Sequence, residues 1–335
     1  MNYSGVGSVV LVTGESVFGT GGTPDKNIGY IQSVNMDEKN NEERIFAVGS
    51  RAAAALVTKK YEASGSIEAI FQNGRLLQYA MGGAEVVTNS NSDYLHTLAR
   101  GTSLVGFTMG ITHAGLTNIS RKYTSCYVNS FRITGDKDAP LKISADILAK
   151  TVLVGTTAYS YTADTTAVPA PQFCNLQIPA TTSNVQVQNF ELTHSNEVES
   201  IFAIGSRLSQ AMIAKTNPLD LKASLAFVDD GSAVDANTLY SRFLDGTITG
   251  TAPATGNIAT CNGALSILNG AVGTYGSGLR GMVVNFNGLV LDSCSIPVPV
   301  DGIIMQDISA MIDYYGTSNI QVYDNVTGTY GTVTA

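Results

Sequence analysis

The sequence predicts a mainly β protein made of two tandem copies of one domain, each copy with a short helix on its flank. Three observations carry that expectation. Apolar and polar residues alternate with a period of two over long stretches, the spacing that gives a strand one dry and one wet face. The composition is 44% apolar and only 14% charged, with 34 Gly, 15 Tyr and no Trp, which suits an ordered β-rich chain and argues against disorder. Seven residues also occur almost unchanged twice, "IFAVGSR" at 45–51 and "IFAIGSR" at 201–207, a spacing of 156. Self-similarity at a fixed spacing marks a repeated structural unit, and 335 residues give each half enough chain to bury a core.

Taken in order, residues 1–27 are rich in Gly and Thr and read as an N-terminal arm. Their "GVGSVV" at 5–10 lacks the third glycine and the βαβ setting of a dinucleotide site. The first copy spans 28–150. It starts with "YIQSVNMDEKNNEER" at 30–44, an alternating strand that runs into a polar tip, "DEKNNEER" at 37–44. That tip is expected to be a hairpin turn projecting into solvent or onto a partner. The following Ile-Phe pair is expected to pack the core, Gly-Ser to turn the backbone, and Arg51 to pair with a neighbouring subunit. Next, Tyr61, Ala63, Gly65, Ile67, Ala69 and Phe71 alternate with Glu62, Ser64, Ser66 and Glu68, a half-buried strand. "GRLLQYAMGG" at 74–83 puts Leu76, Leu77 and Ala80 on one helical face and stops at two glycines. "YVNSFRITG" at 127–135 and the alternating run Leu141 to Lys150 complete the copy as a strand pair.

Residues 151–184, with Pro169, Pro171 and Pro179 among many Thr and Ala, read as a linker or arm. The second copy spans 185–315. "VQVQNFELTHSNEVES" precedes its signature, with Asn196 at the same 156 spacing from Asn40 and a second polar tip at His194 to Glu199. Its further counterparts are "ASLAFVDD" (223–230), "NTLYSRFLDG" (237–246), "VVNFNGLVL" (283–291) and "QDISAMIDY" (306–314), the last offset by 165. Val284-Asn285 keeps the 156 spacing from Val128-Asn129. Residues 316–335 read as a C-terminal arm.

Chemistry is nearly silent. The histidines, His96, His113 and His194, sit at no metal-motif spacing, and His194 is expected on the surface of its polar tip. Cys126, Cys174, Cys261 and Cys294 are far apart, as suits reduced thiols. No P-loop, GxSxG or HExxH is present, and "DDGSAVD" at 229–235 lacks the closing glutamate of a calcium loop. No catalytic, cofactor-binding or metal-ligating residue is assigned, and an enzyme is not expected. Met1 to Thr20 lacks the pattern of a secretion signal, and no apolar run reaches the ~20 residues of a membrane helix. The charge is uneven. Residues 1–156 hold 14 Lys and Arg against 13 Asp and Glu, whereas 157–335 hold 5 against 14. No basic run points to tight nucleic-acid binding.

The ordered set of features resembles the tube-protein domain of tailed phages and related contractile injection systems. Gly49-Ser50-Arg51, Gly65-Ser66-Ile67 and Leu76 to Gly83 carry the likeness in the first copy, and Gly205-Ser206-Arg207 in the second. The resemblance implies two β-sandwich-like tube domains, each with a flanking helix, whose strands join between subunits into a β-barrel ring. It implies a virion tail protein, made in the host cytoplasm, whose three-chain rings have pseudo-sixfold symmetry and stack into a channel for the genome. The implied partners are further copies of itself, with tail sheath, tape-measure, terminator and baseplate proteins. DNA would pass without specific binding, and no membrane is involved. Within this frame Asp37, Glu38, Glu42, Glu43, Arg44, Arg51, His194, Glu197, Glu199 and Arg207 are the expected assembly contacts, and Glu62 and Glu68 the expected lumen-facing residues. The alternatives are another assembly protein, such as a surface-layer or different virion subunit, and an enzyme or small-ligand binder on a repeated sandwich.

Overall fold

In the computed structural model, residues 4–49, 51–90, 93–114, 119–160, 168–169, 174–178, 187–215, 218–226, 243–244, 260–268, 280–298, 304–312 and 318–330 are described. In chain order they form β1 (Ser4–Gly14), β2 (Tyr30–Lys39), β3 (Glu42–Phe46), β4 (Ala53–Thr58), β5 (Glu62–Ile70), α1 (Arg75–Met81), β6 (Gly82–Ser90), β7 (Asp93–Arg100), β8 (Phe107–Ala114), β9 (Ile119–Asp136), β10 (Ala139–Ala149) and β11 (Thr151–Gly155). They continue with β12 (Cys174–Gln177), β13 (Val187–Ser195), β14 (Glu199–Ile201), β15 (Ala211–Ile213), β16 (Leu219–Ala226), β17 (Cys261–Leu268), β18 (Gly281–Ser295), β19 (Met305–Ile312) and β20 (Asn319–Asp324). The protein is mainly β, as the two-residue periodicity predicts.

Antiparallel pairing builds a run in the order β2-β5-β10-β9-β13-β16-β19-β18. One face of this run is dry. Ile67, Ala145 and Phe131 lie side by side across β5, β10 and β9, and Ile133, Leu192, Leu221 and Ala310 across β9, β13, β16 and β19, all buried in the main core. The long strands β9 and β18 leave this run and enter a second layer. There Ile119–Cys126 carries β8 and β11, and Gly281–Leu289 carries β17 and β20. Helix α1 lies against β9 and β7, buries Leu76, Leu77, Tyr79 and Ala80, and ends at Gly82, whose φ of +70° is the left-handed cap read from the sequence.

The two halves share registers. Met36 lies opposite Gly65 and Leu192 opposite Leu221, a shift of 156 on both strands, and the bulge between Ile31 and Ser33 recurs between Val187 and Asn189. Positive φ recurs at the same spacing, at Asn41 and Glu197 and at Gly49 and Gly205. Later the shift grows to 163. Ala145 sits between Ile67 and Phe131 as Ile308 sits between Ala223 and Cys294, and the bulged residue Asn129 corresponds to Asp292. The sequence matches at Val284-Asn285, at 223–230 and at the 165 offset are therefore out of register with the pairing, because short motifs such as Val-Asn recur by chance.

Three further expectations are corrected. The tip at 37–44 is not a hairpin turn, since β2 pairs with β5 and β3 with β4, so Asp37 to Lys39 finish one strand and Glu42 to Arg44 start another. The repeated signature instead forms the turn of the β3–β4 ribbon. Its apolar pair is outside the core, with Ile45 48% and Phe46 61% exposed. The terminal segments are not free arms where described, since β1 pairs with β8 and buries Leu11 and Val12, and β20 is held between β18 and β7. Much of the expected linker, namely 161–167, 170–173 and 179–184, lies outside the described residues.

Candidate functional site: the assembly surfaces

Three surfaces stand out. The first is the pair of ribbons, β3–β4 and β14–β15, which among the described residues pair only within themselves. At each base an ion pair recurs at 156 spacing, Glu43 with Lys59 and Glu199 with Lys215. Exposed carboxylates and lysines contribute little to stability, so these pairs fix the shape of the base more than the fold. Along the first ribbon Ile45, Phe46, Val48, Leu56 and Val57 are exposed, and at the second tip Ile204. Arg51 is exposed at the end of the first ribbon, and Ser50 lies outside the described residues. Arg207 reaches back to the first ribbon's base, donating to the Lys59 carbonyl at 3.0 Å and the Asn40 side chain at 2.8 Å. Asp37 and Glu197 are exposed, while Glu38 accepts from the Tyr123 hydroxyl at 2.9 Å.

The second surface is the wet face of the eight-strand run. Rows of polar side chains cross it, such as Thr134, Glu191, Lys222 and Ser309, and Asp136, Asn189, Ser224 and Asp307. Carboxylates outnumber cations. Asp37, Glu68, Asp136, Asp146, Glu191, Asp220 and Asp307 share the face with Lys39, Arg132, Lys142 and Lys222. Glu68 is thus on the wet face, paired with Lys142 at 3.3 Å. Glu62 sits at the strand's end, where a hydrogen bond from Lys60 and another from Asn41 hold its pKa below the usual range.

The third surface is the joint between the halves, where β9 pairs with β13. Asn196 is its pin. Its side-chain amide donates to the Ala80 carbonyl at 3.0 Å and the Val128 carbonyl at 2.9 Å, while its oxygen meets the His194 ring at 3.0 Å. His194 is 1% exposed, which overturns its surface reading; burial and the Arg100 charge lower its pKa to about 4, so it is neutral and donates from Nε2. The Asn129 side chain accepts the Val198 N–H at 2.8 Å. Replacing Asn196 by Ala strands two buried carbonyls and should cost about 2–4 kcal/mol, read as a lower urea midpoint at unchanged slope.

A second crossing was not legible in the sequence. His96 is fully buried, with Nδ1 2.7 Å from Glu85 and Nε2 3.1 Å from Asp324. The Tyr330 ring stacks on it at 4.0 Å, the Tyr330 hydroxyl donates to Asp324, and the Tyr330 N–H donates to Glu85 at 2.8 Å. Burial opposes the charged imidazole, but hydrogen bonds to Asp324 and Glu85 outweigh it and raise the His96 pKa to about 9. Among the described residues no group of three His, Cys, Asp or Glu is arranged to hold a metal, and no helix is long and apolar enough to cross a membrane.

Exposed apolar ribbons, a sheet whose end strands pair on one side only among the described residues, and a largely polar face describe a β-rich subunit of a larger assembly. A family model for phage tail tube proteins matches residues 5–273, most of the chain, and the chain belongs to that family. No curated protein matches it in sequence. It is accordingly a structural protein of the virion tail, one of many copies in the tube.

Proposed function

We propose that this chain is the major tail tube subunit, that 28–150 and 185–315 are duplicated tube domains joined by 151–184, and that three chains close a ring of pseudo-sixfold symmetry. Stacked rings then form the channel for genome delivery. The observation that carries this reading is the recurrence of one four-strand set, β2-β5-β10-β9 and then β13-β16-β19-β18, with the same registers and bulges. A unit that already continues into its own repeat can continue into another chain, and closing the ring leaves no open edge strand.

The wet face, with Glu68 on it and Glu62 at its margin, is the lumen wall of this ring. Its surplus of carboxylates repels phosphate and keeps DNA from adhering. The near-neutral first half meets the acidic second half around the ring, giving unlike, complementary contacts. Glu42, Glu43, Arg44 and Arg51 on the first ribbon, with Glu38, Glu197, Glu199 and Arg207 at the ribbon bases, serve ring-to-ring contacts, and Asp37, on the end strand β2, serves contacts between subunits of one ring. His194, being buried, serves the joint inside the chain. Tail sheath, tape-measure, terminator and baseplate proteins are the expected neighbours.

Electron microscopy of the purified protein, with native mass measurement of released rings, tests this reading. Hollow tubes with a constant axial repeat and rings with the mass of three chains are expected. Monodisperse globules, or rings whose mass is not a multiple of three chains, would sink it.

A further inference from the structure

The joint inside the chain is a template for the joint between chains. In it, β13 runs against β9 so that Thr193 faces Arg132 and Ser195 faces Ser130. One step further, the bulged Asn129 takes the Asn196 N–H on its carbonyl and the Val198 N–H on its side chain, both at 2.8 Å.

Both halves of this joint exist a second time. β2 corresponds to β13 by a shift of 156, and the stretch of β18 from Val290 to Ser295 corresponds to β9 by a shift of 163. β2 is the end strand of the run, and Asp37 to Asn40 are exposed. At the other end, beyond β19, Asp292, Ser293 and Ser295 are exposed as well. The two edges are separated by the width of an eight-strand run, about 34 Å at ~4.8 Å per spacing. They cannot meet within one chain without curling the whole sheet, but a second copy brings them together.

We propose that β2 of one copy pairs with the β18 edge of the next in one fixed register, Asp37 facing Ser295 and Lys39 facing Ser293, with Asp292 as the acceptor that locks it. Asp292 stands where Asn129 stands in the template, so its carbonyl takes the Asn40 N–H and its carboxylate takes the Glu42 N–H of the second copy. Pro297 has no N–H, so this ladder is shorter than the one inside the chain. The exchange of an amide for a carboxylate offsets part of that loss, since hydrogen bonds to an ionised acceptor are the stronger kind. The joint rests on the tandem-repeat reading above, but the register is a separate claim.

Cysteines placed at 37 and 295 (Asp37→Cys with Ser295→Cys), in a Cys294→Ser background, should give a ladder of covalently joined chains on a non-reducing gel after oxidation or treatment with a short bis-maleimide. The off-register pair Asn35→Cys with Ser295→Cys should give little. If tubes form but the two pairs cross-link equally, or only the off-register pair does, the register is wrong while the tube reading stands. If the unsubstituted chain forms no assembly, both fall. Independently, Asp292→Ala should raise the concentration needed for ring formation at least about tenfold with an unchanged melting temperature, while Asp292→Asn, restoring the template's acceptor, should stay close to the parent. Equal assembly by Asp292→Ala and the parent would overturn the acceptor role.

Discussion

Excising residues 42–58 is expected to abolish tube formation while leaving a folded, soluble chain. The ribbon can be removed cleanly, because the Lys59 N–H already bonds the Asn41 carbonyl at 3.0 Å, so two glycines bridge the gap. None of β3 or β4 belongs to the buried core, so the melting temperature should barely change. The free chain instead exposes Phe46 (61%), Leu56 (57%) and Val48 on a ribbon that, among the described residues, pairs only with itself. Apolar surface of that kind marks a contact with another molecule. Full burial of a large apolar side chain is worth about 1.5–3 kcal/mol. Three per chain give about 5 kcal/mol or more at each contact, over a thousandfold in association. Sedimentation and microscopy of the deletion variant check this; rings without stacks are the expected product, and tubes of normal repeat would overturn it. Phe46→Ser alone should weaken stacking in the same direction.

The ribbon also shows why the sequence was legible in some places and misleading in others. Period-two alternation in β5 and β10 reports burial on one face, and burial there is completed by the chain itself, so pattern and structure agree. The helix was equally plain, because Gly82 is needed for a left-handed cap. Ile45 and Phe46 carry the same apolar signal as a core residue, yet the described residues leave them 48% and 61% exposed. Sequence pattern records that a side chain is to be buried without recording by which molecule. The Val-Asn match failed for another reason. Pairing registers are set by strands and bulges over many residues, and two residues cannot specify them. The exposure of Asp37 was legible as part of a charged tip, but the partners of Asn196 were not, since Ala80 and Val128 contribute backbone carbonyls that no side-chain pattern reports.

His96 was invisible in the same way, with one carboxylate on the adjoining strand and the other near the chain's end, and it carries the sharpest pH dependence expected of the subunit. Strand β20 closes the second layer by pairing with β18 on one side and β7 on the other, and the His96 cluster fastens it. The imidazolium sits between Glu85 and Asp324 with no exposure of any of the three side chains beyond 1%. Its pKa is about 9 in the folded chain against 6.5 unfolded. A raised pKa stabilises fully below about 6.5, and the contribution is lost as pH rises through about 9, roughly 3 kcal/mol in all. His194 works in the opposite sense, since its lowered pKa of about 4 makes the fold lose stability as pH falls from 6.5 toward 4. Stability should therefore be greatest near pH 6.5, with each flank owed to a different histidine. Replacing His96 by Gln leaves two buried carboxylates without their cation and should cost about 3–5 kcal/mol at neutral pH. The diagnostic readout is the alkaline flank. Urea midpoints measured from pH 6.5 to 9 should fall in the parent and stay level in His96→Gln, and proteolysis within 319–330 should become fast in the variant at every pH. A variant that keeps the parent's alkaline slope would show that the imidazolium does not hold β20 in place, however well it is buried.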